Sequence, residues 1–153
     1  MKKNLFGILI DALIGKKQIN SEKEPARRVQ FGPYTPKVEI EYGSEEFQVK
    51  AERELEKIVA RADSILEKIY ADAYQTCVEW EEEDDAGYPV TEEFVKANYS
   101  VTRILITEGL EGEIITQLWG GISKNRYEDL LDDHVHVTEL YSDSEEITFT
   151  LEG

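Results

Sequence analysis

The longest amphipathic pattern in the chain lies between residues 46 and 80. Its apolar stripe recurs at steps of three or four residues, through Ala51, Leu55, Ile58, Ala62, Ile65, Ile69, Ala73 and Cys77. This spacing is typical of one helix face. Ser44, followed by two glutamates, fits an N-cap with a negative first turn. The pattern predicts one long amphipathic helix, roughly 50 Å in length, whose protruding end would offer a homodimer contact.

Shorter alternating segments lie on both sides of this helix. Before it, residues 29–31 and 38–42 alternate up to Gly-containing turns and predict two short strands. After it, Thr91 is expected to cap a short helix, and the β-rich tail predicts two hairpins. The expected fold class is therefore α+β, with an antiparallel sheet of short strands and hairpins packed against one long amphipathic helix.

The first 17 residues, MKKNLFGILIDALIGKK, are apolar with flanking lysines. A helix with so few polar positions is usually buried, so a short N-terminal apolar helix packed on the body is the first interpretation. The alternatives are an interfacial anchor on anionic lipid and a secretory signal, the latter disfavoured by Asp11 inside the apolar run. The predicted organisation is a basic apolar helix with its linker over residues 1–26, and a single α+β domain over residues 27–153.

Charge changes this picture most. The 153 residues hold 33 acidic and 17 basic side chains, a formal net charge of −16. Residues 1–37 carry a net charge of +5, and the remainder carries −21. Because phosphate recognition needs clustered Lys and Arg, a nucleic-acid partner is not expected. Cys77 is the single cysteine and cannot form an internal disulfide, which favours a reducing, cytoplasmic location.

Acidic residues are most concentrated where the predicted long helix ends. Six of the seven residues over 79–85 are acidic, and they are followed by Ala86, Gly87 and an aromatic residue. A solvated loop is the ordinary interpretation, and a docking patch for a basic protein is the functional one, because aromatic residues are favoured at interface anchors. Calcium binding is disfavoured by the absence of an EF-hand spacing. The candidate partner-binding residues are Trp80, Glu81, Glu82, Glu83, Asp84, Asp85 and Tyr88.

Candidate chemistry is confined to the two histidines. His134 and His136 stand two apart on a predicted strand and so share one face, as does Asp132. Such a pair can bind zinc or iron when a third ligand is available, which leaves a metal site as the sharper hypothesis and a solvated sheet face as the ordinary one. Phosphate-loop and nucleophile-elbow motifs are absent from the sequence, and no cofactor is expected.

The order of segments resembles an uncharacterised bacterial family catalogued as domain of unknown function 2262. The resemblance covers residues 29–153 and is carried by FGPYTPKVEIEYG, the long helix with its Trp-containing end, TEEF, and the tail DDHVHVTELYSDSEEITFTLEG. His134 and Gly153 are the positions that match the family pattern. The resemblance implies a fold and a bacterial origin, and it implies no activity.

Two classes of function are compatible with these features. The first is a non-enzymatic acidic protein-binding module, for example an immunity-type protein that neutralises a basic partner, since charge opposition speeds association. The second is a metal-dependent hydrolase that uses His134 and His136. A membrane-peripheral accessory protein anchored by residues 1–17 is a further alternative. We expect the first, and hence a protein that is not an enzyme.

Overall fold

The computed structural model describes residues 26–123, 130–131 and 133–153. The N-terminal apolar helix predicted within residues 1–17 lies outside the described residues, as does Asp132. In chain order the elements are β1 (Lys37–Ile40), α1 (Glu45–Ala60), α2 (Ala62–Glu79), α3 (Glu92–Asn98), β2 (Tyr99–Glu108), β3 (Ile114–Ile122), β4 (Val135–Tyr141) and β5 (Ile147–Glu152). The chain is α+β in class, as the sequence pattern predicts.

The five strands form one sheet in the order β1-β2-β3-β4-β5. The four strands from β2 to β5 pair antiparallel, whereas β1 pairs parallel to β2, with Lys37 opposite Arg103. The prediction of a purely antiparallel sheet is therefore wrong, and the sheet is mixed. The physical reason is that α1, α2 and α3 separate β1 from β2, which provides the long crossover that parallel neighbours require.

The prediction of one long amphipathic helix is also wrong. The helix ends at Ala60 and a second begins at Ala62, because Arg61 leaves helical geometry with φ −105° and ψ 17°. The two helices, of 16 and 18 residues, are about 24 and 27 Å long. A continuous helix would overhang a sheet whose longest strand has ten residues, about 33 Å. The homodimer contact was predicted on the end of one long helix, and the structure has two shorter helices instead.

The core lies between the helices and one face of the sheet. Burial alternates along β3, where Ile114, Leu118 and Ile122 are buried, and the apolar stripes of α1 and α2 join the same cluster. Cys77, the last residue of the predicted apolar stripe, is part of this cluster and is 1% exposed. Within the described ranges, every helix is too short or too polar to cross a membrane.

Both predicted N-caps are present and fix where helices begin. The hydroxyl of Ser44 accepts a hydrogen bond from the amide of Phe47 at 3.1 Å, and that of Thr91 accepts one from the amide of Phe94 at 3.1 Å. Each cap satisfies one of the unpaired amides of the first helical turn. The second cap starts α3 directly after the acidic loop, so it anchors the far end of that loop to the body.

Candidate functional site

The acidic segment after α2 folds into an ordered loop. Helix α2 ends at Glu79 with Trp80 as its C-cap, and Glu81 takes a left-handed backbone conformation with φ 55° that turns the chain. The carboxylate of Asp84 accepts hydrogen bonds from the amides of Ala86 and Tyr88, each at 2.9 Å. The Asp84 amide also donates to the Tyr88 carbonyl at 2.7 Å. Asp84 therefore holds the turn closed and is less free to contact a partner than its neighbours.

A groove of about 390 Å³ lies between this loop and α2. Its floor is largely apolar, and its acidic groups come from three consecutive glutamates. The lining residues are Tyr74, Cys77, Val78, Glu81, Glu82, Glu83, Pro89 and Val90. An apolar floor beside carboxylates is suited to a long cationic side chain, since Lys and Arg stems pack on apolar surface while their charged ends stay near the rim.

The carboxylates of this loop have no cationic partner among the described residues. Within the described residues, none of the acids at 81–85 lies within 4.0 Å of a Lys, Arg or His nitrogen. A few acids elsewhere do pair, as Glu52 does with Arg27 at 2.7 Å and Glu39 with Arg103 at 2.6 Å. The acids of the loop differ from other unpaired acids in being adjacent beside an apolar groove, where they can act together on an approaching cation.

The two aromatic candidates differ in their surroundings. Trp80 is 40% exposed, and its ring meets that of His134 edge-on with 5.2 Å between centroids. Tyr88 is 68% exposed at the tip of the loop. The structure therefore brings Glu81, Glu82 and Glu83 together at the groove, with Trp80 partly committed to packing and Tyr88 open to solvent.

The two histidines do not present a shared face to solvent. His136 is 1% exposed on the helix-facing side of β4. His134 precedes β4, and its Nδ1 lies 3.1 Å from the Leu131 carbonyl oxygen. Gly153 packs against the His134 ring so closely that an added Cβ would lie 2.5 Å from Cδ2. His134 and Gly153 are therefore close neighbours in the structure.

Both ring nitrogens of His136 have protein partners. Nε2 lies 2.8 Å from Oδ2 of Asp72 on α2, and Nδ1 lies 2.7 Å from the hydroxyl of Tyr99 on β2. Phe149 stacks on the ring with 5.7 Å between centroids. Both nitrogens of the ring are thus engaged in hydrogen bonds within the protein.

No group of three or more His, Cys, Asp or Glu side chains that could hold a metal occurs among the described residues. Asp132, the acid that shares the parity of the histidines, lies outside them. The metal site at His134 and His136 accordingly stays a prediction. At His136 the structure shows an Asp72–His136–Tyr99 hydrogen-bond chain around a buried ring, and these bonds fix the ring tautomer.

Sequence analysis missed Asp72 and Tyr99. Asp72 follows Ile69 by three residues and precedes Ala73, so it is an acid beside an apolar stripe, a position that indicates an inward partner. Tyr99 carries no such signal, because an aromatic residue at the start of a strand is common. Their meeting with His136 depends on the sheet register, in which His136 pairs with Gly120.

A second pair of buried hydroxyls lies near this chain. The hydroxyls of Tyr34 and Tyr70 are 2.7 Å apart, and the Tyr70 ring contacts Tyr99 edge-on. Burial, together with the hydrogen bond to Tyr70, raises the pKa of the Tyr34 hydroxyl well above its usual range. Tyr34 therefore remains a neutral donor or acceptor and not a phenolate base.

The opposite face of the sheet carries a polar network of its own. Arg103 bonds Glu39 at 2.6 Å and lies over the Trp119 ring, 4.7 Å from its centroid. The Trp119 indole donates to Gln117 at 3.0 Å, and the Gln117 amide donates to Glu139 at 2.6 Å. These groups bond one another across four strands, so the network stabilises the sheet.

No protein-family model matches this chain, and neither a curated protein nor a solved structure shows a match. The resemblance to domain of unknown function 2262 accordingly stays a prediction.

Proposed function

We propose that this protein is a non-enzymatic acidic protein-binding module, of immunity type, that captures a basic partner at the groove beside the acidic loop. The observation that carries the proposal is that Glu81, Glu82 and Glu83 line one groove together, with no Lys, Arg or His nitrogen of the described residues within 4.0 Å. Three adjacent glutamates beside an apolar floor, with no cationic partner among the described residues, favour an external cation. We place the module in the cytoplasm, in keeping with its single cysteine.

The charge of the chain supports fast capture of such a partner. A net charge of −16 attracts a cationic protein over long distances, and steering of this kind raises association rates by about 10- to 1,000-fold at low salt. The loop then provides the short-range contact. If the partner is a nuclease-like toxin, the carboxylates occupy the cationic surface that would otherwise bind phosphate, which is how an immunity-type protein would neutralise it.

The shape of the groove supports a lysine or arginine as the inserted side chain. Tyr74, Val78 and Pro89 supply apolar contact for its methylene groups, and the three glutamates supply acceptors for its charged end. Tyr88, exposed beside the groove, adds a rigid aromatic surface of the type found at interface centres. An exposed ion pair alone contributes little, so the apolar floor is needed for specificity.

The test compares two variants that remove equal charge. One replaces Glu81, Glu82 and Glu83 with Gln, and the other replaces three exposed acids far from the loop in sequence. The control acids are Glu56, Glu111 and Glu145. Affinity for an oligo-lysine peptide, and for basic proteins captured from the native host, is measured by calorimetry over a range of salt concentrations.

The loop variant should weaken binding by on the order of tenfold and flatten its salt dependence. The control variant should change binding far less, because its charges act only at long range and are screened. Equal weakening by both variants would show that net charge alone attracts the peptide, and it would reject the loop as the binding site.

A further inference from the structure

A second groove, of about 430 Å³, lies on a part of the surface that the acidic loop does not reach. It is formed by the corner at residues 33–35 and by the first residues of β2. The lining residues are Arg28, Pro33, Tyr34, Thr35, Ser100, Val101 and Thr102. Among the described residues, the lining contains an arginine and four hydroxyl-bearing side chains, and it contains no carboxylate. The described lining is therefore cationic, on a chain that carries 33 acidic residues.

The groove exists because β1 is shorter than β2. Pairing between them covers Arg103–Ile106 only, so residues 99–102 continue beyond the start of β1. There the chain before β1 turns away through Gly32, which has φ 58°. A register shift between Val101 and Arg103 marks a bulge in β2 at this point, and bulges often redirect side chains beside binding sites. Ser100 and Thr102 are both exposed here.

Arg28 is held in place without being neutralised. Its guanidinium donates to the carbonyl oxygen of Thr35 at 2.9 Å. Within the described residues no carboxylate lies within 4.0 Å of it, in contrast to its neighbour Arg27, which forms two hydrogen bonds to Glu52. A guanidinium fixed by one bond retains further N–H donors, and these match the oxygen atoms of phosphate or carboxylate.

Four hydroxyl-bearing side chains line the same groove, and the Tyr34 hydroxyl is already bonded to that of Tyr70. Thr35 and Ser100 have exposed side chains, Thr102 donates weakly to the Trp119 carbonyl at 3.3 Å, and Tyr34 stays neutral. We propose that this groove binds the oxyanion group, phosphate or carboxylate, of a small molecule, with Arg28 as the charged contact and the hydroxyls of Thr35 and Ser100 as neutral donors. The volume falls within the range of small-molecule sites.

The test titrates the full chain with inorganic phosphate and, separately, with acetate at constant ionic strength, following amide chemical shifts. Saturable shifts should map to residues 28–35 and 100–102. Arg28→Gln should weaken binding by on the order of tenfold or more, since hydrogen bonds to charged groups are among the stronger ones. Arg61→Gln, which removes an exposed arginine at the helix junction, is the matched control and should leave affinity unchanged.

A second variant avoids any change in charge. Ser100→Ala combined with Thr35→Val should weaken binding severalfold while the shifts caused by residual binding remain at the same residues. Tighter binding of phosphate than acetate would identify a phosphorylated ligand, and the reverse would identify a carboxylate. Absence of saturable binding by either anion, or equal weakening by Arg28→Gln and Arg61→Gln, would overturn the proposal. The site is independent of the acidic groove, so its failure would leave the proposed function untouched.

Discussion

Asp72 accepts a hydrogen bond from Nε2 of His136 at 2.8 Å, and this bond joins α2 to β4 across 64 residues of sequence. Because a carboxylate accepts, Nε2 carries the proton, and in the neutral ring Nδ1 then accepts from the Tyr99 hydroxyl at 2.7 Å. One imidazole thus connects a helix to two strands. The ring is 1% exposed and its bond to Tyr99 is buried, whereas Asp72 is partly exposed.

Asp72→Ala should destabilise the fold by about 1–3 kcal/mol, because it leaves a buried N–H without its acceptor. Glu67→Ala is the control on the same helix, where an exposed acid lies 4.0 Å from Lys96, and it should cost less than about 1 kcal/mol. Chemical denaturation monitored by circular dichroism measures both. Equal losses would show that the Asp72–His136 bond contributes no more than a surface pair.

The fold was predictable wherever contacts are local. The stripe from Ala51 to Cys77 and the caps at Ser44 and Thr91 depend on residues three or four apart, and the structure contains all of them. The break between the two helices at Arg61 was not predictable, because neither Gly nor Pro occurs there. Its backbone geometry reflects packing of both helices on one sheet, which no local pattern encodes.

The candidate site was likewise predictable only where its residues are close together in the sequence. Glu81, Glu82 and Glu83 are adjacent in sequence, so their concentration is visible without a structure. The chain that links Asp72, Tyr99 and His136 needs the strand register and was not predictable. The parallel pairing of β1 likewise follows from a crossover through three helices, and the two short strands before the helix gave no sign of direction.

Gly120→Ala should destabilise the sheet by about 1–3 kcal/mol through overpacking. A Cβ at Gly120 would lie 2.4 Å from the Ser100 carbonyl oxygen and 2.7 Å from Cε1 of Tyr99, so Tyr99 must move off His136. Thermal unfolding measures the loss, and His136 ring proton shifts report the displaced tyrosine.

Gly112→Ala is the comparison for this variant. Its Cβ would meet no heavy atom within 4 Å, and only its φ of 85° opposes the substitution, at about 1 kcal/mol. The His136 shifts should be unchanged in that variant. Unchanged shifts in Gly120→Ala as well would contradict the proposed contact between Gly120 and Tyr99.

Acid should destabilise the protein partly through Glu39. Hydrogen bonds from Lys37, and next from Arg103, lower the pKa of Glu39 below its ordinary value of 4.5. Since the folded-state pKa is the lower one, the stabilisation is present above pH 4.5 and is lost as pH falls from there through the folded-state pKa. Glu39→Gln should therefore lose less unfolding free energy than the wild type over that acid window.

Salt provides the control for this acid effect. Glu39 is partly exposed, so high ionic strength should screen its pairs and bring the two pH profiles together. Denaturant unfolding at a series of pH values gives both profiles. Identical slopes at low salt would show that Glu39 has the same proton affinity in the folded and unfolded chains.

Substitution of Trp80 should change the unfolding free energy, whereas substitution of Tyr88 should change mainly the affinity for a partner. Trp80→Ala removes the edge-on contact with His134 and should lower the unfolding free energy by about 1 kcal/mol or more, in addition to any effect on binding. Tyr88→Ala removes a side chain that is 68% exposed, and it should leave the unfolding free energy within about 0.5 kcal/mol of the wild type.

Oligo-lysine affinity should nevertheless fall for Tyr88→Ala, because the exposed ring is available to pack on the bound chain. Calorimetry and denaturation of the two variants check this, with Tyr42→Ala as the control, since Tyr42 is 96% exposed before α1. Unchanged affinity in Tyr88→Ala would restrict the binding surface to the groove and remove the loop tip from it.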